Sequence, residues 1–315
     1  MAFLRAQRKQ LPFRRVFTRP MQQQTQDRII QGMAVDGHFR VIAAQTTTAV
    51  DTAREILDLS PVAADALGRA MTGALLLARL LDKDVRNQYV TLRFEGDGPL
   101  GTVIADGTNV GHVRGYVANP VPEDPALDVE SGIGNGKLTI VRGTPPAGKP
   151  YTSQLLLGGT GIATDLTRYL MSSEQIASAV LLGVFNRRDG VASAGGIVVQ
   201  AFPHAPDEAI AKIERCIAEA PPLSTLLEKM EIEDVVATIF NGANYKQIDA
   251  GHTVPVSYTC QCTRDRALAG VSFLGQDEIQ DIIDEGGTEV ACQFCGRKYR
   301  FGVEDLLALT AKHEA

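Results

Sequence analysis

Two cysteine pairs near the C-terminal end, Cys260-Gln261-Cys262 and Cys292-Gln293-Phe294-Cys295, constrain the fold of this chain more than any other feature of its 315 residues. Residues i and i+2 of an extended segment face the same way, so Cys260 and Cys262 can offer two sulfurs to one ion. The second pair has the form of a zinc knuckle, in which a tight turn converges Cys292 and Cys295 and Gly296 takes the positive φ that such turns often need. Four soft thiolates make the ligand set of one structural Zn2+, tetrahedral and with no position left for a catalytic water. A cluster of this kind reads as a zinc site, a redox switch, or both. Four unrelated core thiols are the alternative; the tight spacing argues against it, because the chain has only one other cysteine, Cys216.

The metal would matter to the segment that holds it. Residues 251–315 contain few large apolar side chains, mainly Val271, Phe273, Leu274, Ile279, Ile282, Ile283, Val290, Phe294, Tyr299, Phe301, Leu306, Leu307 and Leu309. Such a core is marginal alone. Structural zinc contributes about 10–16 kcal/mol of apparent folding free energy, against about 5–15 kcal/mol of stability for a whole domain. Loss of the metal is therefore expected to unfold the segment. Thiol oxidation is one route to that loss, since a sulfur in a disulfide is no longer a strong zinc ligand.

The same residues carry a family resemblance. Tyr258-Thr259-Cys260-Gln261-Cys262-Thr263-Arg264-Asp265-Arg266 and Cys295-Gly296-Arg297-Lys298-Tyr299-Arg300-Phe301 resemble the zinc domain of the 33-kDa chaperonin family. Ala66-Leu67-Gly68-Arg69-Ala70, Glu95-Gly96-Asp97-Gly98-Pro99-Leu100-Gly101 and Tyr169-Leu170-Met171-Ser172-Ser173-Glu174-Gln175-Ile176 extend the likeness from about Asp27 to the C-terminus. The resemblance implies a redox-regulated, ATP-independent holdase of the bacterial cytoplasm and not an enzyme. It implies a reduced, zinc-bound resting form, and an active form in which the disulfides Cys260–Cys262 and Cys292–Cys295 have formed, zinc has left and a linker has unfolded. Unfolded or oxidatively damaged proteins would be the clients, and the oxidised form would be a homodimer. Geometry adds an order of closure. Cα atoms two apart in a strand are separated by about 6.6–7.2 Å, at or beyond the upper edge of the roughly 4.4–6.8 Å spanned by disulfides, so Cys292–Cys295 is expected to close first.

The rest of the chain divides into three further parts. Residues 27–206 mix period-2 strands (38–47, 88–94, 110–117, 137–141, 152–157, 197–202) with helices (50–59, 62–81, 164–172), the second helix opening on Ser60 as cap and Pro61 in the first turn. Few strands alternate with regular helices, which favours an α+β core with mostly antiparallel pairing over a doubly wound sheet. Residues 207–250 form a helical linker with two narrow apolar stripes, Ile210, Ile213 and Ile217 before Pro221-Pro222, then Leu223, Leu226, Leu227 and Met230. Neither stripe is stable alone, so both must lie on a neighbouring surface, and the linker is a candidate for local unfolding. Cys216, beside Ile217, reads as a small core hydrophobe. Residues 1–26 carry six Lys and Arg, Arg5, Arg8, Lys9, Arg14, Arg15 and Arg19, and no acid. They read as a basic disordered tail, or as the product of a start placed ahead of Met21. A transit peptide is the competing reading, and a twin-arginine export signal fails on the polar run from Met21 to Gln26.

Composition and motifs exclude several other functions. The net charge is −6, tryptophan is absent and only 6% of residues are aromatic, which leaves little for stacking nucleic-acid bases. The helix over 62–81 carries Asp65, Arg69 and Arg79, so it is not a membrane span. Gly132-Ile133-Gly134-Asn135-Gly136-Lys137 lacks the first glycine of a phosphate loop and has Leu138 where Ser or Thr should bind magnesium; Gly159-Thr160-Gly161 lacks the third glycine of a dinucleotide fingerprint. Both read as turns. His38, His112, His204, His252 and His313 show no metal or nucleophile–base spacing, and Asp97 and Asp106 read as turn residues bonded to their own backbone. Two alternatives stay open on the residues alone. The basic strand Arg297-Lys298-Tyr299-Arg300 could make a zinc ribbon that binds RNA or single-stranded DNA, although acids outnumber bases across 251–315. Cys292 and Cys295 could serve a thiol–disulfide oxidoreductase, although such enzymes place the first cysteine at a helix N-terminus and do not spend both thiols on a metal.

Overall fold

The computed structural model describes residues 26–82, 84–144, 149–248 and 253–313. The basic stretch 1–25 and His252 lie outside the described residues.

The chain begins with a hairpin, β1 (Arg28–Ala34) and β2 (Phe39–Gln45), followed by α1 (Thr47–Leu57) and α2 (Pro61–Leu80). The Ser60 hydroxyl accepts from the Ala63 amide, and Pro61 sits in the first turn, as the sequence suggested. Strands β3 (Tyr89–Gly96), β4 (Thr102–Thr108) and β5 (His112–Val117) form a meander; a short helix α3 (Val129–Ile133) leads to β6 (Gly136–Gly143) and β7 (Tyr151–Leu156). After α4 (Ile162–Ser172), the long hairpin β8 (Ser178–Arg187) and β9 (Gly190–Ala201) closes the core.

These strands make two sheets, antiparallel within the core. The first has the order β1-β2-β9-β8 and the second β5-β4-β3-β6-β7. Helix α2 lies between them, buried along most of its length. Small residues let both sheets approach it. A Cβ at Gly68 would stand 2.9 Å from Val184 Cγ2 of β8, and one at Gly107 of β4 would stand 2.5 Å from the backbone of Ala74. The α+β, mostly antiparallel expectation is met.

The first sheet is apolar on both faces. Ile42 and Val198 point to the α1–α2 side, whereas their neighbours Val41, Ala43, Ile197 and Val199 point outward. That outer face is covered by α5 (Asp207–Glu219), α6 (Leu223–Leu227) and α7 (Ile232–Ile239). The two stripes seen in the sequence supply the cover: Ile213, Leu223, Leu226 and Leu227 are buried there together with Ile232, Val235, Val236 and Phe240. Cys216 packs half-buried at the edge of the same cluster. Arg28 ties β1 to the cover through Glu231 (2.9 Å) and Glu233.

Beyond α7 the chain becomes a thin strap. β10 (Lys246–Gln247) and β11 (Val254–Pro255) pair with the free edge of β1, and β12 (Ser257–Tyr258) runs parallel to β5 on the free edge of the second sheet. The C-terminal segment then forms α8 (Arg264–Val271), α9 (Gln276–Asp284), the hairpin β13 (Thr288–Ala291) and β14 (Lys298–Phe301), and α10 (Val303–His313). Its core is as small as its sequence implies. Val271, Phe301 and Leu306 are buried, but Phe273 is 89% exposed, and Leu274 and Leu307 are exposed as well.

Differences from the sequence expectations have physical causes. β1, β4, β8 and the first half of β9 are not among the expected strands: glycine, alanine and polar residues dilute β1 (Gln31-Gly32) and the start of β9 (Ala192-Ser193-Ala194-Gly195-Gly196), Ala105-Asp106-Gly107 interrupts β4, and Val180-Leu181-Leu182 of β8 is a continuous apolar run without a period of two. In β1 and β9, burial between two layers overrides the weak propensity. Gly132 lies in α3, not in a turn, while Gly134, Gly159 and Gly161 do take positive φ.

Candidate metal centre

The geometry of the cysteine cluster is built from two local motifs. Cys260 and Cys262 follow β12 in chain without regular structure, and Thr263 then caps α8 by accepting from the Arg266 amide. Cys292 and Cys295 sit on the turn of the β13–β14 hairpin. The Gly296 amide donates to Cys292 O (2.8 Å), the Cys292 amide donates to Arg297 O (2.9 Å), and Gly296 has φ +67°. This is the knuckle expected from the sequence, and it needs a residue that tolerates the left-handed region.

All four sulfurs lie within 4.8 Å of one another. Cys260 Sγ is 3.7 Å from Cys292 Sγ, and Cys262 Sγ is 3.4 Å from Cys295 Sγ, so the two pairs interdigitate. Four sulfurs bound about 2.3 Å from one tetrahedral zinc stand about 3.8 Å apart. The cluster therefore fits a single Zn2+ held by thiolates.

The electrostatics favour a cation. Burial alone would raise the Cys262 thiol, but hydrogen bonds from Tyr299 Oη (3.1 Å) and the other cysteines bring it down to about 7. Burial together with the neighbouring sulfurs pushes Cys295 up to about 12, and burial also raises Cys260. Four adjacent thiolates repel one another, and a bound dication reverses that balance by favouring the deprotonated form of each. The basic strand is occupied with nearby acids: Lys298 and Arg300 both reach Glu289 (2.7 and 3.0 Å), and Arg264 reaches Asp305 (2.6 Å).

The knuckle also touches the core, which the sequence reading missed. Phe294, counted there as core of the C-terminal segment, instead projects onto β5. Its ring meets Tyr116 edge-on at 5.4 Å, and the Arg114 guanidinium lies 4.3 Å from its centroid. Tyr258 Oη sits between the carbonyls of Gly115 (3.1 Å) and Phe294. Burial first, then the cysteine charges, raise this phenol, so it stays a donor. Burial works against the charge of Arg114, but Asp106 and Cys260 outweigh it. Asp106 is thus not a turn residue: it lies inside β4, holds Arg114 at 2.9 Å and accepts from Thr91 Oγ1 at 2.6 Å. Asp97 likewise reaches across to the Asn135 amide (2.7 Å). The one signal available beforehand was an aromatic residue placed between two ligand cysteines.

The antiparallel core, its helical cover and a four-thiol cluster docked on that core define an α+β protein with a thiolate site for one zinc ion. Comparison with known proteins gives the family. The family model described as "Hsp33 protein" matches residues 27–302. The "33 kDa chaperonin" of Thermus thermophilus is 42% identical over 298 residues, covering 90% of this chain and 87% of that protein. The "33 kDa chaperonin" of Deinococcus radiodurans is 37% identical, covering 89% and 97%. The crystal structure of the 33 kDa chaperonin (heat shock protein 33 homolog) from Thermotoga maritima superposes with a TM-score of 0.82 at 35% identity, over 92% of this chain and all of that one. The chain belongs to the Hsp33 family, redox-regulated and ATP-independent holdase chaperones that are not enzymes. That assignment sets aside the nucleic-acid and oxidoreductase alternatives. Among the described residues no helix is long and apolar enough to cross a membrane.

Proposed function

We propose that Cys260, Cys262, Cys292 and Cys295 are the ligands of one zinc ion and that their oxidation releases a cover from the chaperone core. The observation that carries this reading is continuity. The helices over the outer face of the first sheet, the strap on both sheet edges and the cysteine cluster are one uninterrupted stretch of chain. Freeing the cluster frees one end of the cover.

The division of labour is a core over residues 27–206, a metastable linker over 207–250 and a zinc domain over 251–315. Bound zinc supplies a cross-link that the small C-terminal core cannot replace. Oxidation pairs Cys292 with Cys295 and then Cys260 with Cys262. Each disulfide forms as two thiols lose two electrons and two protons, which hydrogen peroxide takes up to leave two molecules of water. With its sulfurs paired the cluster loses the metal, and the segment that docks Phe294 on β5 unfolds. Helices α5–α7 then depend on their own short apolar stripes, which do not sustain isolated helices. Their departure uncovers Ile30, Phe39, Val41, Ile197 and Val199, an apolar sheet face suited to unfolded or oxidatively damaged clients. Reversal needs a reductant and zinc. A reducing compartment such as the bacterial cytoplasm suits this cycle, and the oxidised form would be a homodimer.

The test is a peroxide time course on anaerobically reduced protein, with zinc release and suppression of client aggregation followed together. Zinc leaving in step with the appearance of holding activity supports the switch. Activity appearing while zinc stays bound refutes it.

A further inference from the structure

We propose that the strap segments 246–248 and 253–259 are a built-in stand-in for client backbone, and that on their release the free edges of β5 and β1 bind extended segments of unfolding proteins by strand addition. This deepens the preceding reading and rests on the strap leaving in the active state.

The strap holds both sheets through main-chain groups. The Ser257 amide donates to Gly111 O (3.0 Å) and the Thr259 amide to Val113 O (2.9 Å), while Tyr258 Oη reaches Gly115 O (3.1 Å). On the other sheet the Val256 amide donates to Asp27 O (2.9 Å) and the Ile248 amide to Gln31 O (3.0 Å). The carbonyls of Gly111 and Val113 are thus paired with strap amides, and that of Gly115 with the Tyr258 hydroxyl, so the edge of β5 already accepts from an extended segment. The strand itself, His112-Val113-Arg114-Gly115-Tyr116-Val117, carries no proline or bulge, and its one charged side chain, Arg114, is held by Asp106, so little in the strand keeps its edge from pairing. Among the described residues its free edge is paired by the strap, beside which the Phe294 ring rests on Arg114 and Tyr116. That protection is thin, since β10, β11 and β12 are two-residue strands, which open easily once an end is free.

Loss of the strap leaves unpaired acceptors beside an apolar core. An unfolding protein offers the complementary group, extended backbone with unpaired amides. Strand addition takes its affinity from main-chain hydrogen bonds and so accepts many sequences, as a holdase requires.

The experiment uses the full oxidised chain and a fluorescein-labelled peptide of residues 253–259, Thr-Val-Pro-Val-Ser-Tyr-Thr, beside the same peptide N-methylated at the positions of Ser257 and Thr259. Methylation deletes the two donors to Gly111 and Val113 and leaves the side chains. Anisotropy is expected to show binding to the oxidised protein and none to the reduced zinc-bound form, with the methylated peptide roughly tenfold weaker or worse. The unmethylated peptide is also expected to compete with a thermally unfolding client. Equal binding of the two peptides, or no binding of either, overturns strand addition. Hydrogen exchange separates this from failure of the underlying reading: if the Val256, Ser257 and Thr259 amides stay protected in the active oxidised protein, strap release itself is refuted.

Discussion

Phe294 joins the metal cluster to the core, and removing its ring should separate zinc binding from inhibition. In Phe294→Ala the four cysteines and the turn hydrogen bonds through Gly296 are untouched, so zinc should remain bound at one ion per chain. What goes is the docking contact: an edge-on pair with Tyr116, worth about 0.5–1.5 kcal/mol, and a half-exposed cation–π contact with Arg114, worth about 0.5–1 kcal/mol. Their sum, about 1–2.5 kcal/mol, weakens docking roughly 5- to 70-fold. Native-state hydrogen exchange is the assay. The Val256, Ser257 and Thr259 amides and those of α7 should exchange faster by that factor in reduced protein, and holding activity should appear without oxidant. Phe294→Ala combined with Arg114→Ala should cost less than the two changes added, because both delete the same contact. Unchanged exchange in the strap and α7 would refute the idea that the knuckle secures the cover.

Three further changes probe the same assembly. Arg28→Ala removes the contacts to Glu231 and Glu233; at this partly exposed site it should cost about 1–2 kcal/mol and speed exchange in α7, and salt should loosen α7 in the wild type but not in the variant. Ile232→Ala leaves a cavity at a fully buried position of the cover, at about 2–5 kcal/mol, and should raise the activity of reduced protein while zinc stays bound; a silent variant in client-aggregation assays would contradict this. Asp27 accepts from the amides of Thr48 and Ala49 at the start of α1, yet burial dominates and raises its carboxyl from 3.8 to about 6. The folded state binds this proton more tightly than the unfolded one, so the stabilisation is fully present below pH 3.8 and lost as pH rises through about 6. Urea unfolding should show the wild type losing as much as about 3 kcal/mol relative to Asp27→Asn between pH 4 and pH 7, and parallel profiles would count against the assignment.

The chemistry of the site was legible in the sequence because it is local. A ligand pair at i,i+2 and a knuckle closed by Gly296 are decided within a few residues, by bond geometry and by the φ that only a few residue types tolerate, and the structure brings those four sulfurs within one coordination sphere. The helical stripes of 207–230 were legible for the same reason, since 3.6-residue periodicity is a property of neighbours along the chain. The strands of weak propensity were not. β1 owes its conformation to layers on either side, with Ile29 in one cluster and Ile30 in the other, a long-range effect that outweighs local preference. Nor does any local rule say where a stripe docks. That α5–α7 cover the outer face of β1, β2 and β9, that Arg28 reaches Glu233 from the far end of the core, and that Phe294 leaves its own segment to rest on Arg114 and Tyr116 are all decided by which surfaces remain uncovered once the sheets have formed. The sequence alone determined that four thiols can meet at one metal ion; tertiary packing decided which apolar surfaces lie beneath the segments leading to them, because burial is settled between distant segments and not within any one of them.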